Sequence, residues 1–330
     1  MLTNRNPKSN IAAAIALFFA APFVAEYLLG NLPIQALGLI VVEAPLYGGG
    51  ALLIREVVRR TGREWPSIIL LGLAYSVLEE GFLTQSLFNP DFMHLHLHLL
   101  ESAYIPTARI GGWWTLWMLN VHAVWSIATP IALVESCWIK TAKTPWLKPF
   151  GLGVTLALFV AGCFMTASFT AGKDRFTASP IEFAGAGVVC GVLILLAMFT
   201  PQKRKSVENS SAPQPWLCAL FALVLGSAAL CTPNSWGWGA VVIMLLCDLI
   251  ALVAVLTFSR CLGWTPRHKL ALAAGAVLAY GWHAFLQTPV FGTGLVVRVG
   301  NGVFLATALG IIWLASKRMQ AANLNRSPLE

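Results

Sequence analysis

The chain has 330 residues, of which 57% are apolar and only 11% charged, whereas a soluble domain carries about 25% charged residues. That balance excludes an ordinary soluble domain, and apolar windows near the ~20 residues needed to cross a bilayer recur throughout, so the fold class is all-α polytopic membrane protein. The formal net charge of +8 does not mark a nucleic-acid partner, because the lysines and arginines fall between apolar segments and not on one basic module.

Ten spans are predicted in chain order, at 11–29, 33–54, 67–88, 112–138, 149–169, 180–200, 215–232, 236–257, 268–289 and 300–316. No run alternates polar and apolar residues as a membrane barrel requires. The first span follows Arg5 and Lys8 in the manner of a secretory signal. Cleavage after Ala25 would put Phe23 where a small residue is needed, so a retained span is expected.

The connections alternate in charge. Arg55 to Arg63, Lys140 to Lys148, Lys203 to Lys205, Arg260 to Lys269 and Lys317 to Arg318 are basic. The intervening ones are poor in Lys and Arg, apart from Lys173 and Arg175 beside Asp174. Basic loops favour the cytoplasmic side, which places both termini in the cytoplasm of a multi-pass cell-membrane protein surrounded by lipid.

Residues 201–215 (PQKRKSVENSSAPQP) are polar and proline-rich and divide an N-terminal membrane half, 1–200, from a C-terminal half, 216–330. Gly48 to Gly50 in the second span permit a bend or a close helix contact, and Gly187 with Gly191 form a GxxxG suited to close packing. The seven cysteines include no CxxC pair and read as small core residues. Tryptophans near span ends, Trp65, Trp113, Trp114, Trp236, Trp238 and Trp264, fit interfacial anchoring.

The polar residues inside the spans carry the functional question. They are Glu26, Glu43, Glu79, Glu80, His122, Glu135, Asp248 and His283. An ionised side chain at membrane depth costs about 2.5–3.5 kcal/mol or more, so the adjacent pair Glu79 and Glu80, in AYSVLEEGFLTQSLF, stands out. Counting the rise per residue puts Glu79, Glu80, His122 and His283 all roughly 15–22 Å inside the bilayer. Two imidazoles and a carboxylate (Glu79, His122 and His283) would supply three ligands for a catalytic zinc and leave a position for water, with the second glutamate as base. Without metal, a glutamate hydrogen-bonded to histidine would activate water instead. Glu135, near the inner surface, reads as partly solvated, and Asp248 as a packing hydrogen-bonder. His94, His96 and His98 fall in the long outer connection from Asn89 to Gly111, where a solvated loop is expected over a metal site.

The order of these residues resembles the CAAX protease and bacteriocin-processing superfamily. Its members carry a Glu-Glu pair followed by arginine, a Phe-x-x-x-His motif and a His-x-x-x-Asn motif. The matching residues are Glu79 and Glu80, His122 in WMLNVHAVW, and His283 with Gln287 in WHAFLQ. Thr84 stands in place of the arginine, Met118 of the phenylalanine and Gln287 of the asparagine. The resemblance implies an intramembrane endopeptidase acting on a membrane-embedded or membrane-anchored peptide. In it the glutamates would activate water, the histidines orient it or hold metal, and Gln287 assist an oxyanion. EEGFLTQSLFNP and EAPLYGGGALLIREV also resemble uncharacterised bacterial polytopic membrane proteins. Two further readings compete with the hydrolase: a proton-coupled transporter, whose buried acids and histidines carry protons, and a non-enzymatic membrane scaffold.

Overall fold

The computed structural model describes residues 10–200 and 207–324. Lys203 to Lys205 and the first part of the expected 201–215 linker fall outside those residues, as do Arg5 and Lys8.

Among the described residues ten helices fall on the ten expected spans. They are α1 (Ile11–Leu28), α2 (Ile34–Arg60), α3 (Trp65–Leu83), α4 (Gly112–Cys137), α5 (Pro149–Lys173) and α6 (Pro180–Phe199). After them come α7 (Pro215–Leu230), α8 (Trp238–Phe258), α9 (Pro266–His283) and α10 (Leu295–Leu324). Eight are long and apolar enough to cross a membrane. The other two are α7, which has only 16 residues, and α9, which opens on Arg267, His268 and Lys269. The faces of α5, α6 and α8 are largely exposed and apolar, as lipid-facing surfaces must be.

The helices alternate in direction, and contacts at the two ends of the bundle show it. At the basic end the Asn10 amide donates to the carbonyl of Trp146, Arg60 to that of Leu147, Arg63 to that of Thr200, and Arg318 to that of Cys137. The His268 ring bonds the carbonyl of Pro213 there, joining the starts of α7 and α9. A short parallel pairing joins β3 (Val207–Ser211) to β4 (Cys261–Leu262) at the same end. At the other end Gly30 packs on Ala284, Val290 donates to Asn31, and Ser102 donates to the carbonyl of Asn234. A two-residue hairpin, β1 (Tyr104–Ile105) and β2 (Ile110–Gly111), lies in the connection before α4. Every basic connection in the described residues sits at one end, which the positive-inside rule assigns to the cytoplasm.

Four boundaries differ from expectation for physical reasons. The second span extends to Arg60 and does not stop at residue 54, because Arg55, Arg59 and Arg60 find partners inside the bundle. The third stops at Leu83, because Gln85 takes a left-handed φ of 58° and turns the chain back. The ninth ends at His283, before a connection whose Val290 is tied to Asn31. The tenth begins at Leu295, directly after Gly294 with its φ of 83°.

The expectation that Glu135 is partly solvated is corrected: it is buried and accepts from Arg55 Nε at 3.1 Å and from Arg59 Nε and Nη2, each at 2.8 Å. Glu56, also buried, pairs with Arg55 at 2.9 Å and accepts from the amides of Trp146 and Leu147. The Arg55 guanidinium covers the Trp146 ring at 3.2 Å and reaches the carbonyls of Ala142 and Thr144. This cluster fixes the α4–α5 connection to the end of α2.

Glycines allow the closest helix contacts, but not through the GxxxG. Gly191 faces open space, and Gly187 has only Phe82 at 3.8 Å from where a Cβ would stand. The closest contacts lie instead at Gly48, where a Cβ would sit 1.9 Å from the Phe18 carbonyl oxygen of α1, and at Gly275, where it would sit 2.2 Å from the Ala219 carbonyl oxygen of α7, with Gly50 meeting the Tyr75 ring at 2.5 Å. The two halves of the chain also touch: Trp125 of α4 stacks on Tyr280 of α9 at 4.5 Å and donates to the carbonyl of Ala276.

Candidate functional site

Three helices lose regular α geometry for one or two turns, and each irregular stretch carries ionisable residues predicted to matter. In α1 the π-helical turn is Phe23–Leu28, with Glu26; in α3 it is Glu79–Leu83, opening on the glutamate pair; in α4 it is Val121–Ala128, with His122 and Ser126. Such wide turns are rare, cost backbone regularity and occur frequently at functional sites. Pro22 and Pro130 flank two of them. Proline lacks an N–H, so it cannot complete the ladder of helix hydrogen bonds.

The turns in α3 and α4 bring Glu79, Glu80 and His122 together, all buried. His122 is held at both ring nitrogens: Nε2 lies 2.8 Å from Glu80 Oε1, and Nδ1 lies 3.3 Å from Glu79 Oε2 and 3.3 Å from Ser126 Oγ. Gly72 makes this approach feasible, since a Cβ there would meet the Ala123 backbone at 3.1 Å. A neutral imidazole donates through one nitrogen only, so both carboxylates receive a proton from it only when it is an imidazolium.

The two glutamates differ in what holds them. The Oε2 of Glu80 accepts from Thr84 Oγ1 at 2.8 Å and from the Ser86 hydroxyl, and Trp114 Nε1 donates to that same hydroxyl at 3.0 Å. The residues after Leu83 therefore fold back to anchor Glu80. The carboxylate of Glu79, by contrast, has only the Tyr47 and Tyr75 hydroxyls and the His122 ring beside it, and its buried Oε2 lies outside strict hydrogen-bond geometry.

Tyrosines complete the surroundings. The Tyr47 ring stacks on His122 at 6.1 Å, and Tyr75 meets it edge-on at 6.0 Å. Tyr47 donates to Glu26 Oε1 at 2.6 Å, and Glu26 Oε2 accepts from Asn31 Nδ2 at 2.5 Å. A polar path thus leads from the centre through α2 and α1 to the connection at the end opposite the basic one. Tyr47 and Tyr75 were missed in the sequence, where a tyrosine in an apolar helix carries no distinguishing signal. The only pointer to Tyr47 was its place next to Gly48.

His283 is not gathered with the other three. It ends α9, which packs chiefly on α7, α10 and α4, and its ring lies beside Leu230 and edge-on to Trp282. Of the three ligands expected from the sequence, Glu79 and His122 lie together and His283 stands apart, while Glu80 lies with the first two. Gln287 lies in the connection after α9, away from the cluster's hydrogen bonds. Asp248 bonds Asn120 Nδ2 at 3.2 Å, a packing role as expected. His94, His96 and His98 are exposed and pair with Asp91 and Glu101. Among the described residues they enter no group of three possible metal ligands.

Residues 15–322 match the sequence profile of an uncharacterized membrane protein family. The chain belongs to that family. The match covers both halves, all three wide turns and the cluster they form, so the second resemblance noted in the sequence is the one that stands. No curated protein and no solved structure matches the chain.

Proposed function

We propose that the chain is an intramembrane hydrolase that cleaves an amide bond in a membrane-embedded or membrane-anchored peptide, with Glu79 as general base. The observation that supports this reading is the unequal anchoring of the two glutamates around His122. Glu80 is tied to Thr84, Ser86 and His122 and acts as a positioning residue. Glu79 keeps one buried carboxylate oxygen outside hydrogen-bond geometry, with the Tyr75 hydroxyl beside the same carboxylate.

In the proposed reaction Glu79 takes a proton from water as the water oxygen bonds to the carbonyl carbon. The carbonyl π electrons move to oxygen, and the Tyr75 hydroxyl donates to that oxyanion. Collapse breaks the C–N bond, and the Glu79 carboxyl gives its proton to the departing nitrogen. One water is consumed, and one acid and one amine are released. This keeps the glutamate pair and histidine of the CAAX protease and bacteriocin-processing resemblance. It leaves out His283 and Gln287, with Tyr75 in the oxyanion role.

Membranes from cells making the wild-type chain or Glu79→Gln, compared by mass spectrometry of protein termini, test the reading. New termini within or beside membrane segments are expected with the wild type alone. Identical sets at equal levels of folded protein would sink it.

A second reading, proton-coupled transport, draws on the path from Glu80 through His122, Tyr47 and Glu26 to Asn31. It expects Glu26→Gln to abolish proton-coupled flux in proteoliposomes, with no peptide cut by any variant. Variants that changed only stability would favour the scaffold.

A further inference from the structure

The region around His122 holds more acid than it holds base. Glu26, Glu79 and Glu80 meet there, and Glu43 is close enough to interact with Glu26 and Glu79. Among the described residues no lysine or arginine pairs with any of the four, and His122 is the one group in their midst able to carry positive charge. Even as an imidazolium it leaves carboxylates in excess. Buried carboxylates without counter-charge are costly, so the site must take up either protons or a cation.

Two observations favour a metal cation. One oxygen from each of Glu79 and Glu80 and one nitrogen of His122 all lie within 4.8 Å of one another, near enough for a single ion to take all three. In addition, the buried Glu79 Oε2 accepts no hydrogen bond of good geometry, although His122 Nδ1 stands 3.3 Å away, and a buried carboxylate oxygen left so calls for a ligand. Two carboxylate oxygens and one imidazole nitrogen suit zinc, which accepts N and O donors and leaves a position for water when three come from protein. The second imidazole nitrogen would keep a hydrogen-bonding neighbour, as ligating histidines generally do.

We propose that Glu79, Glu80 and His122 bind one divalent transition-metal ion, zinc by the chemistry of its donors. The inference rests on the hydrolase reading for its use: the ion would supply a water of lowered pKa, and Glu79, ligating through one carboxylate oxygen, would keep the other to take that water's proton. Its binding stands on the cluster alone.

The full chain, purified in nanodiscs, stripped with chelator and dialysed against zinc or manganese, would be assayed for metal by elemental mass spectrometry. Wild type would be compared with Glu80→Gln, His122→Ala and His283→Ala, each checked for monodispersity and helical content. The expected result is one ion per wild-type and His283→Ala chain, with occupancy at least tenfold lower in a folded Glu80→Gln or His122→Ala. A folded wild type that takes up neither ion overturns the proposal, as does a folded His122→Ala that binds equally well. Because the unfilled carboxylates repel one another, Glu80→Gln without metal should be at least as stable as the wild type, which guards against loss through misfolding. Stoichiometric metal with no new peptide termini would keep the site and remove the hydrolase. New peptide termini made by a folded chain that takes up neither ion would do the reverse.

Discussion

Two clusters of buried ionisable residues occupy this bundle, and they are built to opposite specifications. At the basic end, three guanidiniums face two carboxylates: Glu135 accepts from arginines, and Glu56 from arginines and from two backbone amides. The stretches that carry them, Ile40–Arg60 and Thr129–Cys137, are regular α-helix. Around His122, carboxylates outnumber the one imidazole, a buried carboxylate oxygen accepts no hydrogen bond of good geometry, and three helices are distorted. Burial of charge is common to both, so burial does not separate a structural from a functional site. Completeness does: a cluster whose charges and hydrogen bonds close on themselves has no use for a ligand, and one left open has room for chemistry.

The comparison breaks first, and hardest, at Arg55. Removing one partner of a buried ion pair costs about 3–5 kcal/mol. Arg55→Ala should therefore lower the melting temperature sharply or prevent purification of a monodisperse protein, measured by thermal unfolding in detergent. A melting temperature unchanged within error would show that the basic cluster is not structural.

Glu79→Gln should behave in the opposite manner. Stability should hold or rise, because a carboxylate is removed from an acid-rich site, while cleavage falls by about a hundredfold or more, the contribution of a general base. A variant that both melts early and retains cleavage would reverse the assignment of the two clusters.

A smaller effect is expected at Gly48. A methyl group there must displace the Phe18 backbone, so Gly48→Ala should cost about 1–3 kcal/mol in unfolding experiments through overpacking. Gly191→Ala, facing open space, should cost nothing measurable by the same assay.

The smallest effect concerns the loop above the open cluster. Burial works against the ionised form of Asp174, yet the amides of Met93 and Phe176 and the side chain of Asn89 hold its carboxyl below the usual range. A depressed folded-state pKa stabilises fully above the unfolded value near 4 and is lost as pH falls through the lower, folded value. Amide exchange of residues 89–95 should thus be flat from neutral pH down to about 4 and show extra opening only below it, after correction for intrinsic rates. Opening that begins well above that pH would show that Asp174 does not hold the loop.

The spans were legible because length and hydropathy are local properties, and the Glu79–Glu80 pair was legible because acid inside an apolar run is conspicuous. His122 followed from its depth. The misplacement of His283 has the same source, since depth along a helix says nothing about lateral position, and α9 packs on α7 and α10. Glu135 was misread for a related reason. Its partners Arg55 and Arg59 lie 80 and 76 residues away in sequence and looked like a solvated basic loop. The wide turns were not legible at all, because no residue type specifies a π-helical turn as glycine specifies a left-handed one.

Those wide turns carry a consequence for how the chain tolerates change in length. Each holds about one residue more than an α-helix would use for the same rise. Deleting a residue from Val121–Ala128 gives the helix a way to absorb the loss, since the turn tightens and everything beyond Ala128 keeps its facing. The same deletion inside the regular part of α4 would rotate all that follows by about 100° and pull Glu135 out of reach of its arginines. The slack in each helix is stored at the residues proposed for the chemistry, so the scaffold would survive its loss and the Glu79–Glu80–His122 cluster would not.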